Sequence, residues 1–477
     1  MILHFFSSAG WESWDLPSRP LIRHGMPVLV DEDLRFEDED GPRPTVAMNR
    51  WLQELPITGA PSPNTWRAYA QQLKSWSEFL TEHSVGVFAN QFRLRGALSA
   101  YAEHRLSGPL ETRLEGTSWN LAVKTIAAFY EWSVRNGHCT DVPFSYTEGS
   151  YLRPDGARMQ SVRNLATVRG AKPHATRKYL ERPFAELLMN ALAGNEPDGE
   201  PDRSFRGRET GRNTAGVGLA LSTGLRLREL SHLTVWEIPP LPRLPTTVPV
   251  PLQLAPPTAK GGKGRQTWID YEALARVHDY VTLERAASVD GSRWLPRGPL
   301  YVEEPTYAGA RVNGTYRQWH VLTPDERRRL VAPGGGSALL AVQSDGSPFV
   351  DWATVLRRTS ARVRDRFDPA FPHVFPHMTR HTFAMATLER LVRGYYQRAA
   401  QLVVDTDGDN AMALYLTKAD PLLVLRDLMG HASVATTQAY LHLLDTQRIF
   451  REAYEETSPT PREQIEAATE FEDSDAR

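Results

Sequence analysis

"HMTRHTFAMATLERL", residues 377–391, sets His377, Arg380 and His381 within five positions and then continues with apolar residues at helical spacing. Read as a helix, its first turn carries two imidazoles and a guanidinium. Three chemistries use such a set: a metal site, proton transfer, or the binding of an anion such as phosphate. A zinc site needs HExxH spacing or further His, Cys or carboxylate ligands, and here Met378 and Thr379 intervene while Arg380 repels a cation. A helix start with surface residues is the plain alternative for such a triplet taken alone. His377 and Arg380, three apart, share a helix face, and a helix N-terminus favours an anion. The phosphate reading gains strength only if other residues converge on it.

Working outward, "STGLRLREL" places Arg226 early in a helix with Glu229 three positions on, where a carboxylate can hold the guanidinium. A surface ion pair worth a few tenths of a kcal/mol, about the usual i,i+3 value, is the alternative. Downstream stands "LRDLMGHASVATTQAYLH". Leu422, Leu425, Leu428 and Met429 are expected to form a buried stripe, Gly430 to stop the helix, and Ser433 to cap the next. His431 then falls in the tight turn, with Tyr440 nine positions later. Between these stretches, "KGGKGRQTWID" has the Gly-rich turn of a β-hairpin, with Trp268 and Ile269 on the returning strand.

At 477 residues the chain is too long for one core, so two or more domains are expected. A single cysteine, Cys139, excludes an intramolecular disulfide framework and a Cys-rich zinc module. No apolar run of about 18 residues is present, so no membrane span is expected. "MILHFFSSAG" lacks a basic start and a long apolar core, which argues against a secretory signal and for an intracellular protein. The net charge of −2 hides a local surplus, because residues 153–178 carry Arg153, Arg158, Arg163, Arg169, Lys172, Arg177 and Lys178 against Asp155 alone. Such a stretch can follow a phosphate backbone or be a solvated linker.

Residues 1–60 show no clear periodicity. From 61 to 150 a small helical domain is expected: Trp66, Tyr69, Leu73, Trp76, Phe79 and Leu80 recur at helical spacing after a cap at Asn64. "RLRGALSAYAEHRL" and "SWNLAVKTIAAFYEWSVRNGH" supply further helices. The basic segment 151–180 links this domain to a second, 181–450, in which regions near 282–345 and 392–420 read as insertions. Prolines in 239–257 confine any strand there to an edge. Residues 451–477 form an acidic tail expected to be disordered. The fold class is mainly α with a small antiparallel sheet (α+β).

The ordered set "TGLRLREL", "KGGKGR", "HMTRH", "LMGH" and "TTQAY" resembles the signature of the tyrosine recombinases, the phage-integrase family. The resemblance covers 180–447 through these motifs and, more loosely, 63–145, which is similar to the family's core-binding domain. It implies a C-shaped clamp on double-stranded DNA, with the basic linker tracking the backbone, Arg67 and Lys124 adding contacts, and a homo-tetramer or mixed assembly on two duplexes carrying specific sites. It also implies Arg226, Lys260, His377, Arg380, His431 and Tyr440 as catalytic residues, supported by Glu229, His381 and Lys263. The implied activity is site-specific recombination through a 3′-phosphotyrosyl intermediate, with no membrane partner, in the cytoplasm at the nucleoid.

That chemistry suits the residues themselves. A phenol of pKa about 10 is ionised in about one molecule per thousand near pH 7. Arginines favour the phenolate, and His377 can accept or relay the proton. Arg226 and Arg380 can fork to non-bridging oxygens, His431 can add a hydrogen bond, and a hairpin lysine can protonate the leaving 5′-oxygen. Lys260 aligns with the family's lysine, and Lys263 is the alternative. The covalent link conserves the phosphodiester energy, so no metal, ATP or other cofactor is expected. Three features depart from the family pattern: Arg228, the long proline run, and fifty residues between Arg380 and His431, about twice the family's spacing. A type IB topoisomerase or a non-catalytic DNA-binding relative is the alternative function.

Overall fold

In the computed structural model, which describes residues 1–7, 21–39, 41–60, 62–152, 158–168, 178–405, 420–444 and 449, the chain divides into two units, Met1–Ala175 and Thr176–Arg477. The first is built on four helices: α1 (Pro44–Glu54), α2 (Pro63–Glu82), α3 (Gln91–Leu106) and α4 (Gly116–Arg135). Proline opens α1 and α2, where its missing N–H costs no helical hydrogen bond. The expected cap at Asn64 is therefore displaced: Pro63 begins α2, Ser62 holds the cap position, and Asn64 lies inside the first turn.

Trp51, Trp66, Trp76, Trp119, Phe129 and Tyr130 fill this unit's core, each burial contributing about 1.5–3 kcal/mol. Their polar ends are satisfied. The Trp76 indole N–H donates to the Tyr130 hydroxyl at 3.1 Å, which donates to the Val87 carbonyl at 2.9 Å.

Residues 1–60, which show no clear periodicity in the sequence, contribute to this first unit. Strand β1 (Ile2–Phe5) pairs antiparallel with β2 (Pro27–Val30), and Met48, Trp51 and Leu52 of α1 enter the same core as α2 and α4. A short ladder, β3 (Glu37–Asp38) with β4 (Gly41–Pro42), lies between β2 and α1. The basic linker needs correction. Strand β5 (Tyr146–Leu152) pairs with β6 (Arg158–Asn164) as a hairpin, and the chain up to Val168 is fastened to α4. Trp119 donates to the Ala166 carbonyl at 2.8 Å, and the Asn120 amide bonds both the N–H and the carbonyl of Val168 at 3.0 Å. The cause is the backbone-matching amide of Asn120, a contact distant in sequence. Residues 169–177 lie outside the described residues.

In the second unit, α5 (Arg182–Ala193) and α6 (Thr210–Thr223) precede the short α7 (Leu227–Leu230). Strands β7 (Val250–Leu254) and β8 (Arg265–Ile269) form an antiparallel hairpin with Leu252 opposite Thr267. Helix α8 (Tyr271–Tyr280) continues through a widened turn into α9 (Ala286–Val289). The region read as an insertion carries β9 (Leu300–Glu303), β10 (Gly309–Val312), β11 (Thr315–Gln318), α10 (Pro324–Arg327) and β12 (Leu330–Val331). Its sheet has the order β11-β10-β9-β12, antiparallel except for the β9–β12 pair. Val302, Ala310, Trp319 and Leu330 give it a core of its own.

Helices α11 (Trp352–Arg366), α12 (Pro376–Asp405), α13 (Pro421–Met429) and α14 (Val434–Gln438) complete the unit. Central α6 packs against α5, α8 and α12. Of the expected stripe on α13, Leu425 and Met429 are buried, while Leu422 and Leu428 are half-buried. Residues 392–405 of the second expected insertion continue α12; 406–419 and the acidic tail lie outside the described residues.

Candidate active site

Two left-handed glycines bring the motifs together. Gly224 ends α6 at φ +65°, and a Cβ there would stand 2.3 Å from the Phe383 ring of α12. Gly430 ends α13 at φ +58°, and its Cβ would meet Arg265 at 2.8 Å. The chain can thus reverse at both places while α12, the β7–β8 hairpin and the α13–α14 turn close on one another.

Glu229 lies at the centre and is 1% exposed, so the surface-pair alternative does not apply. Its carboxylate accepts from the Arg226 backbone N–H at 2.7 Å and from the Arg226 guanidinium at 3.0 Å. It also accepts a fork from Arg265 at 2.5 and 2.8 Å. Burial works against its charge, but Arg265 and Arg226 outweigh that and hold Glu229 below the usual glutamate range.

Three guanidiniums meet the carbonyls that lead to His431. Arg265 donates to Leu428 at 3.0 Å; Arg226 donates to Met429 and Gly430 at 3.5 and 3.4 Å; Arg380 donates to Met429 and to Gly224. Arg380 is 2% exposed. Burial, followed by the charges of Arg226 and Arg265, brings its guanidinium down to about 9, so it remains a cation at neutral pH. Three cations against one carboxylate leave a surplus that an arriving anion relieves.

Tyr440 follows α14 and is 1% exposed. His381 Nδ1 lies 2.7 Å from its hydroxyl. The rings of His381 and exposed His377 meet edge to face at 4.4 Å. The sequence reading offered His377 as a group that can accept or relay the proton; the imidazole at the hydroxyl here is that of His381, one turn further along α12. His431 Nδ1 is 2.9 Å from the Thr437 hydroxyl, and its ring lies parallel to Tyr440's at 6.3 Å.

Lys260 and Lys263 lie in the exposed turn between β7 and β8, with no hydrogen-bond partner among the described residues. Arg67 and Lys124 are exposed in the first unit, where Arg67 stacks on Phe5 at 4.5 Å. Arg163 reaches Thr167, just beyond the end of β6. Lys178 is exposed in the second unit; Arg169, Lys172 and Arg177 lie outside the described residues.

Sequence reasoning missed Arg265. Its signal was the third cation of "KGGKGR", one more than protonation of a leaving group requires. Among the described residues no group of three His, Cys, Asp or Glu side chains is placed to hold a metal ion. A tyrosine hydroxyl among imidazoles and guanidiniums is the equipment of nucleophilic phosphoryl transfer.

Residues 48–137 match the family model described as the phage integrase N-terminal SAM-like domain. That match lies within the first unit, and the five ordered motifs that resemble those of the tyrosine recombinases lie in the second. No curated protein sequence matches it. Among solved structures, the chain is similar to the XerH site-specific recombinase bound to difH substrate in a pre-cleavage complex, at 15% identity and a TM-score of 0.43 over 86% of this chain and 83% of that one. It is also similar to the XerA recombinase, at 18% identity and a TM-score of 0.31 over 83% and 93% of the two chains. A lambda integrase dimer bound to a core site aligns at 13% identity and a TM-score of 0.40, over 83% and 94%.

Proposed function

We propose that this protein is a site-specific DNA recombinase that cuts and rejoins strands through a 3′-phosphotyrosyl link, in the integration, excision or transposition of a mobile element. The observation that carries the reading is the buried Tyr440 hydroxyl, bonded to His381 at 2.7 Å, in the unit where Arg226 and Arg380 meet at the turn leading to His431.

As the Tyr440 oxygen attacks phosphorus, charge grows on the non-bridging oxygens. Arg226 and Arg380 exchange carbonyl partners for these oxygens, and His431 and His377 add hydrogen bonds. The bond from phosphorus to the 5′-oxygen breaks, and Lys260 gives that oxygen its proton, with Lys263 the other lysine within the same turn. The released 5′-hydroxyl, or one from a second duplex, reverses the step. The proposed partner is double-stranded DNA bearing specific sites, held by a tetramer of this chain or a mixed assembly with relatives. The exposed Arg67, Lys124, Arg163 and Lys178 and the basic Arg169, Lys172 and Arg177 are proposed to contact the backbone, and the proposed location is the nucleoid.

A nicked duplex from the ends of the host element traps covalent protein, because the cut strand loses the short fragment needed for rejoining. Wild-type protein is expected to yield a DNA–protein band on a denaturing gel, and Tyr440→Phe to yield none while binding the duplex equally well. A normal band from Tyr440→Phe would place the nucleophile elsewhere.

A further inference from the structure

The mechanism above leaves the proton of the Tyr440 hydroxyl unassigned. Among the described residues, His381 and Arg380 of α12 and His431 of the α13–α14 turn approach that hydroxyl or its ring, and His377, one turn earlier on α12, touches the ring of His381. Arg380 has no lone pair to accept a proton. His431 engages Thr437 through Nδ1, and its ring lies parallel to the tyrosine ring at 6.3 Å. His377 is exposed at the first turn of α12 and touches the ring of His381. His381 sets a ring nitrogen at hydrogen-bond distance from the reacting oxygen, at 2.7 Å.

We propose that His381 is a catalytic residue, the base that takes the phenolic proton of Tyr440; the inference rests on the recombinase reading above. As the tyrosine oxygen bonds to phosphorus, its proton passes to His381 Nδ1. The phosphorus–5′-oxygen bond breaks with its electron pair on the leaving oxygen, which Lys260 protonates. In rejoining, the 5′-hydroxyl attacks, the tyrosine oxygen leaves, and His381 returns the proton. His377, four residues earlier on the same helix face, stays at the phosphate side. Each imidazole thus serves one partner, His381 the nucleophile and both His431 and His377 the phosphate oxygens.

A tyrosine analogue separates this role from packing. A ring-fluorinated tyrosine at position 440 ionises near neutral pH and has little proton left to surrender. His381→Asn keeps a hydrogen-bonding amide but accepts no proton, and His381→Gln serves in its place if the melting curve shows the Asn protein unfolded. With ordinary Tyr440, His381→Asn in the full-length protein is expected to slow single-turnover cleavage of the trapping duplex by about 10²–10⁴-fold, the usual span for general base catalysis. DNA binding by gel shift should be unchanged. With fluorinated Tyr440 most of that loss should disappear, whereas Arg380→Ala should stay slow with either nucleophile. An equal loss with both nucleophiles, or no loss with either, overturns the assignment while leaving the recombinase reading in place. Absence of any covalent product from the protein with His381 intact overturns both.

Discussion

At the scale of single residues, Arg265 and Glu229 show how much of the candidate site is spent on holding other groups. Arg265 makes no proposed contact with DNA, yet its guanidinium joins the β7–β8 hairpin to Glu229 and to the Leu428 carbonyl. Both side chains are nearly inaccessible, at 6% and 0% exposure. Removing Arg265 leaves buried Glu229 with Arg226 as its remaining cation, which costs up to about 3–5 kcal/mol. Arg265→Ala is therefore expected to lower the stability of the second unit by about that amount, measured by urea unfolding followed by tryptophan fluorescence. Arg265→Lys should recover only part, since one ammonium cannot reproduce the fork. A loss below about 1 kcal/mol, the range of exposed pairs, would show that the pair is solvated in solution.

Among the elements, α7 carries a pH dependence into the site. His232 follows this helix, with Nδ1 donating to the Arg228 carbonyl at 2.7 Å and Nε2 buried without a partner. Burial, with the charges of Arg328, Arg228 and Arg327 nearby, takes it from the ordinary 6.5 to about 4. Between these values the unfolded chain binds a proton that the folded chain refuses, so stability falls as pH drops from 6.5 towards 4 and is insensitive to this group above 6.5. The melting temperature of the second unit should decline over that window, and His232→Asn should flatten the decline. Parallel curves for the two proteins would assign the acid sensitivity to other groups. Element boundaries were less legible in the sequence than element types. Periodic tryptophans and leucines marked α2, α3 and α4, and the glycines marked the reversals. The end of α1 in the first core, the β5–β6 hairpin and the inserted four-stranded sheet depend on long-range pairing, which leaves no local period to read. Arg265 escaped for the same reason, since its partners lie 36 and 163 residues away.

For the molecule as a whole, two units imply two responses to damage. Trp76, fully buried at the centre of the first unit, anchors Tyr130 and stacks on Phe79. Trp76→Ala is expected to remove about 3–5 kcal/mol from that unit and leave the transition of the second unchanged in scanning calorimetry. A single transition shifted as one would show that the units melt cooperatively. The five motifs scattered from residue 223 to 440 were legible because each is short and local; their convergence on one turn required the fold. The central claim, that Tyr440 links to DNA through a 3′-phosphate, is tested most directly by digesting the trapped covalent complex and sequencing the DNA-bearing peptide by mass spectrometry, with the DNA labelled at one end or the other. The account predicts a single nucleotide-modified peptide carrying Tyr440, joined to the strand's 3′ end with the 5′-hydroxyl free. A modified residue other than Tyr440, or a 5′-phosphate linkage, would contradict it.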